Sequence, residues 1–153
     1  MFDEILGLPA HPLIVHAAVV LTPLLVVLAI VYALARRTRA VLNWAVTALA
    51  VAVPVAVLAA RQSGGALRDR RFSPVDGQLG RRIAEHEEFA TPLLLAALVL
   101  GVVSLGLVYV SQAERFGRPA EVTVVVLTVA MAAVTGYYVL RAGHSGAVAV
   151  WGG

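Results

Sequence analysis

The sequence predicts an all-α fold, a four-helix transmembrane bundle, and its composition and hydropathy pattern both indicate this class. Of the 153 residues, 60% are hydrophobic and only 14% are charged, with a mean hydropathy of +0.88. A soluble domain is nearer about half apolar and about a quarter charged. Four stretches without a charged residue are long enough to cross a bilayer, which takes about 20 helical residues. These stretches are residues 13–35, 41–60, 89–110 and 122–140.

The four stretches are predicted to be helices rather than strands. In lipid only helices and closed barrels satisfy the backbone, and the stretches lack the alternation of a barrel strand. The proline residues within or near them, Pro23, Pro54 and Pro92, are tolerated in membrane helices as kinks. One helical bundle uses nearly the whole chain, so residues 1–153 are expected to form a single domain with up-down topology.

The connectors differ in length and composition. Residues 36–40 read as a tight turn and residues 111–121 as a short loop. Between the second and third stretches, residues 62–77 have the Gly, Ser, Pro and Asp content of a loop. Residues 78–88 are expected to begin the third helix outside the hydrocarbon, or to lie along the interface.

Arginine placement predicts the orientation. The two short connectors are the denser in arginine, and the positive-inside rule therefore places them in the cytoplasm. Both termini and all four histidines would then face the extracytoplasmic side. No basic run with interleaved aromatic residues occurs, so nucleic acid is not an expected partner.

A short internal repeat is also visible. Thr22-Pro23-Leu24-Leu25 in the first stretch matches Thr91-Pro92-Leu93-Leu94 in the third. His16 precedes its Thr-Pro pair by six residues and His86 precedes its pair by five. Two repeated hairpins related by an axis along the membrane normal would produce this pattern.

Four histidines, His11, His16, His86 and His144, lie at or near the ends of the apolar stretches. An ionisable group at membrane depth is costly, and it is therefore a functional hypothesis by default. Imidazole is the commonest metal ligand and a frequent axial ligand of haem iron. The topology brings all four imidazoles to one side of the membrane, which predicts a cofactor or metal site there.

His16 and His86 are the preferred pair of ligands. His16 lies about one helical turn inside the first stretch, and His86 stands immediately before the third. The first and third helices of an up-down bundle lie diagonally across the core, so both imidazoles could reach one central cofactor. His11, five residues from His16, points elsewhere around the helix. It could serve a second site, support another ligand, or simply lie among the headgroups at the helix start.

His144 is flanked by Gly143 and, two residues on, by Gly146, a composition that permits a tight chain reversal at a helix end. This keeps His144 as an alternative ligand or a ligand of a second site. Arg141, on the same helix end, could anchor the helix in the interface or pair with an anion such as a haem propionate.

Other chemistries are open or excluded by the residue types. A divalent transition metal such as zinc, copper or iron could be held by three or four of the histidines. A scaffold whose histidines only hydrogen-bond across helices is a non-catalytic alternative. The chain has no cysteine, which excludes thiolate metal sites and covalent c-type haem attachment. No catalytic signature is recognisable, so the chain's status as an enzyme is left open.

The chain resembles the bacterial membrane family known as domain of unknown function 2231. The resemblance rests on the opening His11-Pro12 and Val15-His16, on His86, and on a C-terminal pattern. That pattern comprises Thr135-Gly136, Arg141, Gly143-His144-Ser145-Gly146-Ala147 and Val150-Trp151. The family often has Phe-Pro after the second histidine, where this chain has Ala17-Ala18.

The resemblance implies a multi-pass protein of the bacterial inner membrane. Some relatives are fused to Rieske or cytochrome c modules, which implies redox work at the outer face and favours haem b. The leading expectation is therefore a haem b-binding integral membrane protein that transfers electrons at the extracytoplasmic face. Its expected partners are the lipid bilayer and extracytoplasmic redox proteins of the Rieske or cytochrome c type.

Overall fold

The computed structural model describes residues 4–5, 8–71, 77–113 and 116–151. A two-stranded antiparallel ladder pairs β1 with β2 ahead of the first helix. Five α-helices follow, with a 3-10 turn between the first two. The elements are β1 (Glu4–Ile5), β2 (Leu8–Pro9), α1 (Ala10–Leu34), the turn (Arg36–Thr38), α2 (Arg39–Arg71), α3 (Gln78–Glu88), α4 (Ala90–Gln112) and α5 (Arg118–Trp151).

Four helical segments within the described residues are long and apolar enough to cross a membrane. Three of them lie in α1, α2 and α5. The fourth runs through α3 and α4 together, from Gly80 to Gln112. In the bundle α1 packs against α2 and α5, and α4 packs against the same two helices. Helices α1 and α4 meet at only a few residues, so they lie diagonally across the core. The predicted all-α membrane bundle is confirmed.

The bundle has a thin core and an apolar outer surface. Leu25, Val53, Ala97 and Leu100 are fully buried where the helices meet. Large side chains such as those on Val41 and Leu140 are exposed on the outside, as lipid-facing residues are. Each buried threonine hydroxyl donates a hydrogen bond to the carbonyl four residues earlier in its own helix, which satisfies it at membrane depth. These threonines are Thr22, Thr128 and Thr135.

Proline explains both the break before α4 and a close contact between α2 and α4. Pro92 has no N–H to donate to the Glu88 carbonyl, and α3 ends at Glu88. Pro54 in the same way leaves the Ala50 carbonyl without its helical donor. This carbonyl oxygen lies against Gly101 of α4, at 2.5 Å from the position that a β-carbon would occupy. Only glycine allows the two helices to approach this closely.

The predicted loop over residues 62–77 is wrong for residues 62–71, and the reversal that the glycines near His144 would permit is absent, whereas residues 72–76 lie outside the described residues. Helix α2 remains helical to Arg71, across much of the predicted loop 62–77, and α5 continues to Trp151 without the reversal expected near His144. At about 1.5 Å per residue, α2 and α5 each span roughly 50 Å, well beyond a hydrocarbon core of about 30 Å. The additional turns are held by tertiary contacts, which outweigh the weak helix propensity of glycine and serine. The predicted helix over residues 78–88 is confirmed as α3.

Arg39 stabilises the end of the bundle at which α1 turns into α2. Its guanidinium donates to the carbonyls of Tyr32 and Ala33, which lie in the last turn of α1 and lack helical donors. It also forms an ion pair with Glu121 at 2.6 Å, and Arg36 pairs with the same carboxylate at 2.7 Å. These arginines therefore connect α1 and α2 to the start of α5, in addition to any role in topology.

The contact between Gly101 and Ala50 leads to a test of the α2–α4 interface. Gly101→Ala should destabilise the bundle by about 1–3 kcal/mol, because the new methyl group overlaps a backbone oxygen that cannot move freely. Gly106→Ala is the matched control, since its β-carbon meets only a valine methyl at 4.0 Å. Thermal unfolding in detergent should show a lower Tm for Gly101→Ala only. Equal Tm values for the two variants would contradict the proposed close contact.

Candidate histidine site

Three of the predicted ligands belong to elements that meet at one end of the bundle, here called the histidine end. His11 lies in the first turn of α1, His86 in the last turn of α3, and His144 in the extended part of α5. The polar ends of α2 and α5 surround them, with Ser63 and Ser145 among their inward residues. The site therefore depends on the two helices that continue beyond the apolar core.

His11 is fixed against α2. Its Nδ1 atom is 3.0 Å from the Ser63 hydroxyl, and this serine is buried. The imidazole ring lies directly on Gly64, where its Cε1 atom is 3.0 Å from the position that a β-carbon would occupy. A larger residue than glycine would displace the ring, so the sequence Ser63-Gly64 supplies a hydrogen-bond partner and room for one imidazole.

His86 is fixed against α5 by the same arrangement. Its Nδ1 atom is 3.0 Å from the Ser145 hydroxyl. Its Cε1 atom is 3.1 Å from the position of a β-carbon on Gly146. The Ser-Gly pair and the imidazole thus occur twice, once on each of two helices that come from different halves of the chain.

The two imidazoles are close to each other. His11 and His86 are near enough for their charges to interact, and both rings are half-buried. Each ring engages its serine through Nδ1, and the His11 ring also hydrogen-bonds to the Ala60 backbone. Imidazole is a common metal ligand, so two such rings at one end of the bundle form a candidate ligand pair.

The other two histidines lie on the outside of the bundle. His16 is exposed, and its Nδ1 atom is hydrogen-bonded to the Pro12 carbonyl of its own helix. His144 is also exposed, one residue before the serine that holds His86. The structure therefore brings His86 together with His11 rather than with His16. The sequence pattern favoured His16 because it lies deeper along α1, but depth does not decide which side of a helix faces the core.

Helix α3 is attached to the bundle by contacts on both sides of His86. Glu87 forms a 2.6 Å ion pair with Arg68 of α2. Arg141 of α5 stacks over the ring of Phe89, with its guanidinium carbon 5.0 Å from the ring centre. The guanidinium of Arg141 is exposed, and no hydrogen bond holds it within the described part of the chain. These contacts orient α3 so that His86 faces the interior.

The sequence also allowed a divalent metal held by three or four histidines. Among the described residues, no three side chains of His, Asp or Glu are grouped so that they could bind one metal ion. The described site thus offers two imidazoles rather than the three or four ligands of a protein zinc centre.

Sequence reasoning missed Ser63 and Ser145, although a signal was present. The chain contains two Ser-Gly dipeptides, at residues 63–64 and 145–146. The first was read as loop composition and the second as a chain reversal. A small hydroxyl residue followed by glycine on a helix is equally suited to accept a neighbouring ring, and here both pairs do so.

Fold and site together define a class: a polytopic membrane bundle that holds two imidazoles at one of its ends. The chain belongs to the family described as predicted membrane protein (DUF2231), whose sequence profile matches residues 7–153. No curated protein and no solved structure shows significant similarity to the chain. The family assignment confirms a membrane protein and names no activity.

The two glycines beneath the rings can be tested separately from any cofactor. Gly64→Ala and Gly146→Ala should displace the rings of His11 and His86, because a methyl group would lie about 3 Å from a ring carbon, closer than van der Waals contact. The displacement should appear as a shifted Cε1–H resonance of the affected histidine in isotope-labelled protein. Gly65→Ala and Gly143→Ala are the controls, since nothing lies within 4 Å of their β-carbon positions. Unchanged resonances in the first two variants would contradict the ring placement.

Proposed function

We propose that this membrane protein binds haem b at the histidine end and transfers electrons at the extracytoplasmic face. His11 and His86 are the proposed axial ligands. The single observation that carries the proposal is the pair of imidazoles at one end of the bundle, near enough for their charges to interact and each anchored through Nδ1 to a serine.

The number and kind of donors fit an iron porphyrin. A porphyrin supplies four nitrogen ligands itself, so the protein needs to provide only the two axial ones. Metal-bound histidines generally donate their second ring N–H to a nearby acceptor, and the serine hydroxyls stand at that nitrogen in both cases. When bound, the haem would supply one-electron redox chemistry, and the chain would hold and orient it.

Two axial imidazoles favour electron transfer over the activation of a small molecule. If both protein ligands are bound, no open position is left on the metal for a substrate. His16 and His144 lie on the outer surface of the same end, and they are not part of the proposed axial pair. Arg141 is the proposed partner of a propionate, because its exposed guanidinium retains N–H donors beside His86 and Phe89.

The proposed location follows from the arginine distribution. The connectors at the opposite end carry Arg36, Arg37 and Arg39, which favours the cytoplasmic side for that end. The histidine end would then face the outside of a bacterial inner membrane, where Rieske or cytochrome c type proteins are the proposed redox partners.

A structural role for the histidines is the competing proposal. The His11–Ser63 bond joins α1 to α2 and the His86–Ser145 bond joins α3 to α5, so the same contacts could serve only to hold a scaffold together. A divalent metal bound by the two imidazoles with further ligands from water is the other competing proposal.

The absorption spectrum of the protein purified from membranes with haem supplied distinguishes these proposals. Haem binding predicts one haem per chain, with a sharp Soret band and the split visible bands of a six-coordinate ferrous haem. His11→Ala and His86→Ala should each lose the bound haem or become five-coordinate, because each removes one axial ligand. His16→Ala and His144→Ala should retain the wild-type spectrum and serve as matched controls.

Helical circular dichroism and elution as a single species establish that each variant folds. A folded wild-type protein that takes up no haem would refute the proposal. Metal found by elemental analysis in such a protein would favour the divalent-metal alternative. Loss of haem in His16→Ala but not in His11→Ala would show that the axial pair has been assigned wrongly.

A further inference from the structure

We infer that Ser63 and Ser145 are positioning residues that hold His11 and His86 in the Nδ1–H tautomer, which directs the Nε2 lone pairs of both rings toward a metal. The tautomer assignment stands on hydrogen bonds alone. Its consequence for metal binding rests on the proposed haem function.

The assignment follows from counting donors at each serine. A hydroxyl group has one hydrogen to donate. The Ser63 hydroxyl donates it to the Ala60 carbonyl at 3.0 Å, and the Ser145 hydroxyl donates to the Ala142 carbonyl at 3.1 Å. Neither serine has a second hydrogen for the ring, so each can only accept from the histidine. With the serine hydrogen on the carbonyl, the Nδ1 atom of each ring carries the proton in the neutral imidazole.

The surrounding residues reinforce this direction of bonding. The carbonyl that receives each serine hydrogen lies three residues earlier in the same helix, so the serine is held by its own backbone. The Cε1 edge of the ring then lies against the next residue, Gly64 or Gly146. A ring fixed at one nitrogen and along one side retains little freedom to rotate or to exchange tautomers.

The arrangement is built twice, once in each half of the chain. The distances between Nδ1 and hydroxyl are 3.0 Å at both places, and the distances from Cε1 to the position of a β-carbon on the glycine are 3.0 and 3.1 Å. Two copies of one geometry at the same end of the bundle indicate that the two ligands are prepared in the same way.

Isotope-labelled histidine gives a direct test in the protein without haem. Long-range proton–nitrogen spectra, recorded at a pH where the rings are neutral, distinguish the two tautomers of each histidine. His11 and His86 should both be Nδ1–H. Ser63→Ala should abolish this preference for His11 and leave His86 unchanged, and Ser145→Ala should do the reverse.

Ser111→Ala is the matched control. Ser111 also donates to a carbonyl three residues earlier, that of Val108, and it also bonds to another side chain, that of Tyr32. It lies at the opposite end of the bundle, so its removal should leave all histidine tautomers unchanged. Ser63→Thr and Ser145→Thr retain a hydroxyl, so these variants should keep the Nδ1–H tautomer that the alanine variants lose.

A wild-type protein in which His11 and His86 are Nε2–H tautomers would overturn the inference, even if the alanine variants fail to fold. Unchanged tautomers in folded Ser63→Ala and Ser145→Ala would overturn it as well. These outcomes are independent of haem, so they distinguish a failure of this inference from a failure of the proposed function.

In haem-loaded protein the same variants should bind haem roughly 10–100-fold more weakly, as is typical when a hydrogen-bond partner of a metal ligand is removed. The midpoint potential should rise, because an imidazole that no longer donates from Nδ1 is a poorer electron donor to ferric iron. Ser111→Ala should change neither quantity. Equal affinity and equal potential in all three alanine variants would overturn the positioning role.

Discussion

Polar groups at membrane depth need partners within the protein, because the surrounding lipid offers none. Most contacts in this bundle satisfy that constraint. The buried threonines bond back to their own helices, and Arg39 takes the free carbonyls at the end of α1. Within the described part of the chain, the buried hydroxyl of Ser104 has no such partner. At the histidine end the constraint is met by two hydrogen bonds, each of which pairs an inner imidazole with a serine.

The same constraint explains why α2 and α5 are so long. His16 and His144 face outward, and the Nδ1 atom of His16 is hydrogen-bonded to the Pro12 carbonyl of its own helix. His11 and His86 face other helices, and their partners come from turns of α2 and α5 beyond the apolar stretches. The additional helical turns thus form a polar layer at the end of the lipid-facing bundle. Helix α3 packs onto this layer through the Glu87–Arg68 ion pair and the contact between Phe89 and Arg141.

Besides the turn at Gly77, whose φ is +83°, glycine has two uses inside the described helices. Gly101 allows α4 to approach a carbonyl that Pro54 has left free. Gly64 and Gly146 allow an imidazole ring to lie on a helix. In each case the missing side chain makes room for a specific group, so the glycines contribute to helix contacts while the backbone stays helical.

The sequence by itself determined the fold class and the family. Hydropathy needs no partner to be interpreted, since any apolar stretch of sufficient length must be helical in lipid. The opening His11-Pro12 and Val15-His16 carried the family resemblance. The sequence also identified the four histidines, because ionisable groups are rare and conspicuous in an apolar chain.

Only the tertiary structure decided which histidines meet. Rotation about a helix axis depends on packing against neighbouring helices, and the weakly patterned, apolar surface of α1 contains little information about it. The sequence therefore favours His16 over His11, although it is His11 that lies near enough to His86 for their charges to interact. The serines were missed for a related reason: the Ser-Gly pairs are visible in the local sequence, but nothing local indicates that Ser63 bonds to His11, 52 residues away.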